Sequence, residues 1–196
     1  MIMARPREFE QTEVLRRAML LFWKKGYEAT TLADLLEWTG LSKSSLYDTF
    51  GDKRRLFLSA LDVYRAEQAE RLLGALNDGR PARESIAGFF ATHAVHPERR
   101  YGCMSCNEAV ELAPRDEQVQ QRASSDFEGV VDAFAAAITR GQADGSVASR
   151  EDPRKLATFL AVNLQGLNVM ARAGADVGRL GESIAVMLST LDAPPA

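Results

Sequence analysis

An all-α fold is expected of this chain, and three observations predict it. Apolar residues recur at three- and four-residue steps in one segment after another. No β-branched run alternates cleanly, and no Asn-Gly or Asp-Gly pair separates two strand-like runs. From Thr31 to Lys53 two short helical segments flank Gly40, and a further helix begins at Lys53. The pattern predicts about nine helices, with ends placed to about 2–4 residues.

Each helix is justified in order. The first carries Val14, Leu15, Ala18, Met19 and Phe22 on one face and closes at Lys24-Lys25-Gly26, with basic residues in its last turn and glycine after it. Thr31 followed by Asp34 starts the second like a capping box. Gly40 supplies the turn. Ser42 caps the third helix, on which Leu41, Leu46 and Phe50 face inward. Asp52 caps the fourth, with Leu56, Phe57, Ala60, Leu61 and Tyr64 as its apolar face. Asn77 to Pro81 is a break, and Pro81 suits the first turn of the next helix, which bears Ile86, Phe89, Phe90 and His93. Pro97 to Gly102 is expected as a loop. Pro114 divides a short helix from a long one carrying Val119, Ala123, Phe127, Val131, Phe134 and Ile138, which Gly141 and Gly145 end. Asp152-Pro153 is a cap followed by proline at the first helical position. Leu156, Phe159, Leu160, Asn163, Leu167 and Met170 follow it, and the last helix holds Ile184, Met187, Leu188 and Leu191. Leu191 to Pro195 is expected to fray.

Composition narrows the function. With 196 residues and 46% hydrophobic content the chain can bury a real core. No apolar run approaches the ~20 residues that span a bilayer, and MIMARPREFEQ lacks an apolar signal core, so no membrane partner is expected. Two cysteines are too few for a disulfide framework, which makes a cytoplasmic site the expectation. Arginine outnumbers lysine 19 to 5 and alanine is abundant, which fits a GC-rich bacterial genome. Net charge is −3, but residues 1–60 carry ten basic against eight acidic residues and the remainder fourteen against nineteen. A mildly basic head on an acidic body fits one DNA-contacting domain and one differently employed domain. No Ser-His-Asp order, phosphate-binding glycine loop or metalloprotease motif is present, so the chain is read as no enzyme, with no cofactor.

The segment Thr31–Lys53 has the chemistry of a groove-binding helix. Ser42 caps it and turns its N-terminal amides towards DNA. Lys43 is the base or phosphate contact at its start, and Ser44 and Ser45 are small enough for close approach. Tyr47 can donate its hydroxyl to a phosphate. Thr31 and Lys53, at two other helix N-termini, can clamp flanking phosphates. An ordinary solvated helical hairpin would show the same periodicity. From Phe9 to about Asp62, however, the chain resembles the N-terminal domain of TetR-family transcriptional regulators. Leu21-Phe22, Gly26-Tyr27, Thr30-Thr31, Leu35, Gly40, Leu41-Ser42-Lys43, Leu46-Tyr47, Phe50, Lys53 and Leu56 carry the match. Leu36 and Trp38 depart from it, each standing where the family has a smaller residue, and are read as repacking. The resemblance implies that Thr31, Lys43, Tyr47 and Lys53 touch DNA, mostly phosphates. It also implies an all-helical homodimer, a ligand-binding C-terminal domain, and repression relieved by a small molecule. The domains are then a helix-turn-helix DNA-binding domain at 7–67, its motif at about 30–49, and a ligand-binding and dimerisation bundle at 68–196.

The C-terminal half holds the less settled features. Gly102-Cys103 to Arg115-Asp116 is similar to a segment of one TetR subgroup, a shorter match that names no effector. Cys103 and Cys106 share a helical face, near disulfide distance. A helix N-terminus with Arg99 and Arg100 nearby would lower the Cys103 thiol pKa, which suggests a sensor of oxidants or electrophiles. The alternative is that both are small buried hydrophobes. His93, His96, Cys103 and Cys106 have the ligand types for a tetrahedral zinc site, but His93 lies on an apolar face, so a structural histidine is preferred and no metal is assigned. Tyr64, Phe90, His93, Met104, Phe127, Phe159 and Asn163 are the ligand-pocket candidates, with Asn163 singled out as a polar group on an apolar stripe. The two helices after Asp152 and Asp176 can form a two-fold four-helix interface. The expected partners are therefore a roughly palindromic double-stranded DNA operator, a second copy of the chain and an unknown small-molecule effector. A DNA-binding scaffold with no effector is the alternative.

Overall fold

The computed structural model describes residues 5–193, with side chains from residue 11 onward. Among the described residues there are nine α-helices and no strand. They are α1 (Arg5–Lys25), α2 (Leu32–Thr39), α3 (Lys43–Phe50), α4 (Lys53–Leu76), α5 (Ala82–Val95), α6 (Met104–Glu111), α7 (Glu117–Asp144), α8 (Pro153–Arg172) and α9 (Val177–Leu188). No helix among these residues is long and apolar enough to cross a membrane.

The sequence signals act through identifiable bonds. Thr31 and Asp34 form both halves of a capping box. Ser42 accepts the Ser45 amide, Asp52 the Arg55 amide, and Asp152 the amides of Arg154 and Lys155. Each satisfies donors that a helix start leaves unpaired. Gly40 ends α2 at φ +74°, a left-handed backbone that glycine adopts without cost, and this reverses the chain between α2 and α3.

Four expectations about element ends are corrected. Pro81 is the N-cap of α5 rather than a residue of its first turn. Pro97–Tyr101 is a 3-10 turn, not an open loop, because the His96 ring accepts the Glu98 amide and the backbone closes on itself. Gly141 does not end α7. It lies inside it, where an added Cβ would come within 2.5 Å of Val147 and 3.0 Å of Ala82, and Gly145 at φ +80° is the terminator. The C-terminus is tied down as far as Asp192. Leu191 is fully buried, its carbonyl accepts the Ser149 amide, and Asp192 pairs with Arg83. Pro194 and Pro195 lie outside the described residues.

Two apolar cores organise the chain. The first joins α1–α4, with Phe22, Leu35, Leu46 and Phe57 at its centre. It also takes Met104 and Leu112, at the two ends of α6, and Val119 of α7. The second joins the far end of α4 to α5, α7, α8 and α9 around Phe90, Phe134, Ile138 and Leu160. Helix α4 runs through both, giving Leu56 to Tyr64 to the first and Leu72 and Leu76 to the second. Residues far along the sequence therefore close the N-terminal core.

Candidate nucleic-acid interface and ligand cavity

The exposed face of α3 is built from its cap outward. The Ser42 hydroxyl lies 3.0 Å from that of Ser44 and 2.8 Å from that of Ser45, so the three serines form one small polar surface. Beside it Lys43 and Tyr47 are exposed, and neither side chain has a hydrogen-bond, ion-pair or ring partner among the described residues. Leu46 and Phe50 are buried behind them. The flanking groups differ from this. The Thr31 hydroxyl donates to Asp34 at 2.7 Å, and the same carboxylate takes Lys25 at 2.7 Å. Lys53 stands 4.2 Å above the Tyr27 ring. Trp38 is 43% exposed and carries Lys24 at 4.8 Å, while half-buried Leu36 packs on the core.

A cavity of about 500 Å³ opens between α4, α5, α7 and α8, within the range for small-molecule sites. Tyr64, His93 and Phe127 line it, together with Trp23, Leu72, Phe89, Val130 and Leu164. Four sequence candidates are placed elsewhere. Phe90 and Met104 are fully buried core residues, and Phe159 is turned outward. Asn163 donates to the Phe159 carbonyl at 2.8 Å, so its amide finds a partner on its own helix. Asn168, one turn further on, is the buried amide at the cavity, and His93 Nε2 meets its Oδ1 at 2.8 Å. Burial favours the neutral ring and lowers the His93 pKa.

Sequence reasoning also missed the polar wall. Arg65 donates to Asp126 at 2.6 Å and to Asp62 at 3.1 Å, and the Ser105 hydroxyl donates to the other Asp126 oxygen. These are charged residues on long helices, a pattern that usually marks a solvated face. Only the packing of α4 against α6 and α7 turns them towards one point.

The segment 96–111 touches both the cavity and the N-terminal core. His96, Arg99, Gly102, Cys103 and Ser105 form cavity wall. The Gly102 carbonyl accepts from Trp23 Nε1 at 3.1 Å. Tyr101 stands 5.7 Å from Trp23 and 5.6 Å from Lys24, the lysine that also covers Trp38 on α2. At the far end, Glu111 accepts the backbone amides of Glu28 at 2.7 Å and Tyr27 at 3.3 Å. Its carboxylate lies against Gly26, where an added Cβ would come within 2.7 Å of it. Gly26 also has φ +83°, so that turn is open to glycine on two grounds.

Burial sets the state of the remaining titratable groups. The Cys103 thiol is pushed up to about 11 and Cys106 is also raised, burial being the chief cause for both. The expected lowering by the arginine pair does not occur. Arg99 donates to the Ala175 carbonyl, and Arg100 lies over Tyr101. Both thiols are free, and burial disfavours the thiolate of each. Among the described residues no three His, Cys, Asp or Glu side chains converge to hold a metal. Glu108 on α6 is 1% exposed and leaves one carboxylate oxygen without a partner. Burial, then Glu111, pushes its pKa up to about 8, against the opposing pull of Arg172.

Comparison with known proteins bears on this arrangement. A family model described as "Bacterial regulatory proteins, tetR family" matches residues 14–60, and one described as "Tetracyclin repressor-like, C-terminal domain" matches residues 82–187. The chain is 34% identical to the uncharacterized HTH-type transcriptional regulator YezE of Bacillus subtilis, over 97% of this chain and all of that one. It is 32% identical to the HTH-type transcriptional repressor ComR of Escherichia coli, covering 90% of this chain and 86% of ComR. Among solved structures, a cysteine mutant of the TetR family transcriptional regulator CifR, complexed with 26 bp of double-strand operator DNA, superposes with a TM-score of 0.81 at 32% identity. That match covers 94% of this chain and 98% of the other.

Proposed function

Because the chain belongs to the TetR family and is a DNA-binding transcriptional regulator, we propose that it is a homodimeric repressor released from its operator by a small molecule bound in the cavity. Residues 7–67 form the DNA-binding domain and 68–196 the sensing and dimerisation domain. Lys43 and Tyr47 are the principal DNA contacts, and Ser42, Ser44 and Ser45 allow α3 to approach the groove. Thr31 and Lys53 act at the flanking phosphates, Thr31 through its helix N-terminus, since its hydroxyl is engaged by Asp34.

One observation carries the reading: a single chain combines an exposed polar face on α3 with free Lys43 and Tyr47 side chains, an internal cavity, and an exposed apolar stripe on α8. Phe159, Val162, Val169 and Met170 make that stripe, Val162 being 66% exposed, and Val186 of α9 lies exposed as well. Apolar side chains in such a row favour a second copy packed about a two-fold axis. Two α3 helices would then face successive major grooves of a roughly palindromic operator, about 34–36 Å apart or wider.

Helix α4 supplies one route from the cavity to α3, through Tyr64 and Phe57. Segment 96–111 supplies a second, because it holds the turn after α1 through Glu111. A tenfold change in operator affinity needs only about 1.4 kcal/mol of coupling.

The test is a mobility shift on the DNA upstream of the protein's own gene, with sedimentation of the free protein. The parent should sediment as a dimer and bind at low salt, while Val162→Glu should be a folded monomer that binds at least tenfold more weakly. A parent that stays monomeric, or does not bind, contradicts the reading.

A further inference from the structure

The charged groups around the cavity are not equally satisfied, and their imbalance points to a ligand class. Arg65 is saturated by Asp126 and Asp62. Asp132 is paired with Arg154 at 2.7 Å. These groups neutralise one another without help from a ligand. The others do not. Arg71, on the α4 rim, has no hydrogen bond or ion pair among the described residues. Arg99, half-buried in the 3-10 turn, donates only to the Ala175 carbonyl at 3.2 Å. Glu98 has as its nearest partner His96 at 3.8 Å, a cation only when protonated.

Both guanidiniums line the one cavity, with Glu98 beside Arg99 in the 3-10 turn. Arg71 lies close enough to His93 for its charge to disfavour the imidazolium. Arg99 and His93 also share the wall of a smaller cavity against α8 and α9. Burial favours the neutral His93 ring, against the opposing pull of its Asn168 hydrogen bond, so it offers hydrogen bonding there rather than charge. For half-buried Arg99 a guanidinium without a carboxylate is costly unless a ligand completes it, and the planar fork of either arginine suits a two-oxygen anion. Leu72, Phe89, Phe127, Val130 and Leu164 supply the apolar part of the wall.

We propose that the cavity binds an amphipathic organic carboxylate, its head between Arg71 and Arg99 beside His93 and its apolar body along Phe89, Phe127 and Leu164. The inference rests on the effector reading of the cavity and adds the ligand's charge. A neutral ligand of the same size would leave both guanidiniums unpaired, and a cationic one would meet them as like charges.

Three probes with one tail separate the possibilities: decanoate, 1-decanol and decylammonium, each below its micelle concentration. Binding is measured by titration calorimetry on the full chain without DNA and followed by emission of Trp23 in the cavity wall. Decanoate should bind at least tenfold more tightly than 1-decanol, and decylammonium most weakly. Arg71→Gln and Arg99→Gln should each weaken decanoate about tenfold, about 1.4 kcal/mol, and leave 1-decanol unchanged. Arg71 is on the exposed rim, so its variant reports even if Arg99→Gln misfolds. Equal binding of decanoate and 1-decanol, no response to the arginine variants, or no binding of any probe overturns the proposal. The effector reading fails differently: decanoate then binds with the predicted selectivity but leaves the protein's affinity for its upstream DNA unchanged.

Discussion

At the scale of single residues, Glu108 shows how position overrides chemistry. A glutamate on a short helix ordinarily faces water, but α6 is wedged against α4 and α7, and this carboxyl is enclosed with one oxygen unpartnered. Its ordinary pKa is 4.5 and its folded value about 8, with Glu111 raising it further and Arg172 opposing. Between those values the folded chain holds a proton that the unfolded chain has lost. Stability from this group is therefore whole below about pH 4.5 and falls as pH rises towards 8. His93 acts in the opposite sense below its ordinary 6.5, because burial favours the neutral ring, so the informative quantity is a difference between proteins. Glu108→Gln keeps the volume and removes the ionisation. Thermal melts should show little difference from the parent at pH 5 and a gain of at least about 2–4 °C at pH 8, corresponding to about 1 kcal/mol in a chain of this size. An equal difference at both pH values would show that the carboxyl is not held neutral.

At the scale of elements, α6 with the 3-10 turn before it joins the cavity wall to the turn after α1. One end is cavity wall, and the other grips the backbone between α1 and α2 through two amide hydrogen bonds accepted by the Glu111 carboxylate. Hydrogen bonds to a charged carboxylate contribute about 1.5–3 kcal/mol, enough to carry the coupling a tenfold response needs. Glu111→Ala should bind a cavity ligand with unchanged affinity by calorimetry. Its ligand-induced loss of operator affinity should be at least threefold smaller than in the parent. Full retention of the response would assign transmission to α4 alone. The helices themselves were legible in sequence, because their signals are local: the Thr31–Asp34 box, Gly40, Asp52 and Asp152-Pro153 all act within four residues. The α3 surface was legible for the same reason. The cavity was legible only in part. Asn163 and Asn168 both lie on α8 among apolar neighbours, and their roles depend on which face meets α5. Glu111 against Gly26 and Arg65 with Asp126 join residues distant in the chain, and no spacing rule reports such pairs. The direction of the Cys103 pKa shift was misjudged because a sequence shows neighbouring charges but not the degree of burial.

At the scale of the whole molecule, two cores share one long helix, and a cavity lies beside the place where they meet. The N-terminal core is incomplete without Met104, Leu112 and Val119. Arg54 on α4 also makes a two-pronged pair with Asp116, the cap of α7, at 3.0 and 3.1 Å. A displacement of α6 or α7 is thus felt directly by α1 and α4, the coupling that the proposed ligand control would use. Everything in that account depends on α3 being the DNA interface. The direct measurement is fluorescence anisotropy of labelled DNA from upstream of the protein's own gene, titrated with parent and Lys43→Ala over a salt series. Parent binding should weaken steeply with salt, and Lys43→Ala should bind more weakly with a log–log slope smaller by about one, the loss of one phosphate contact. Identical affinity and slope for the two proteins, or no parent binding at low salt, would contradict it.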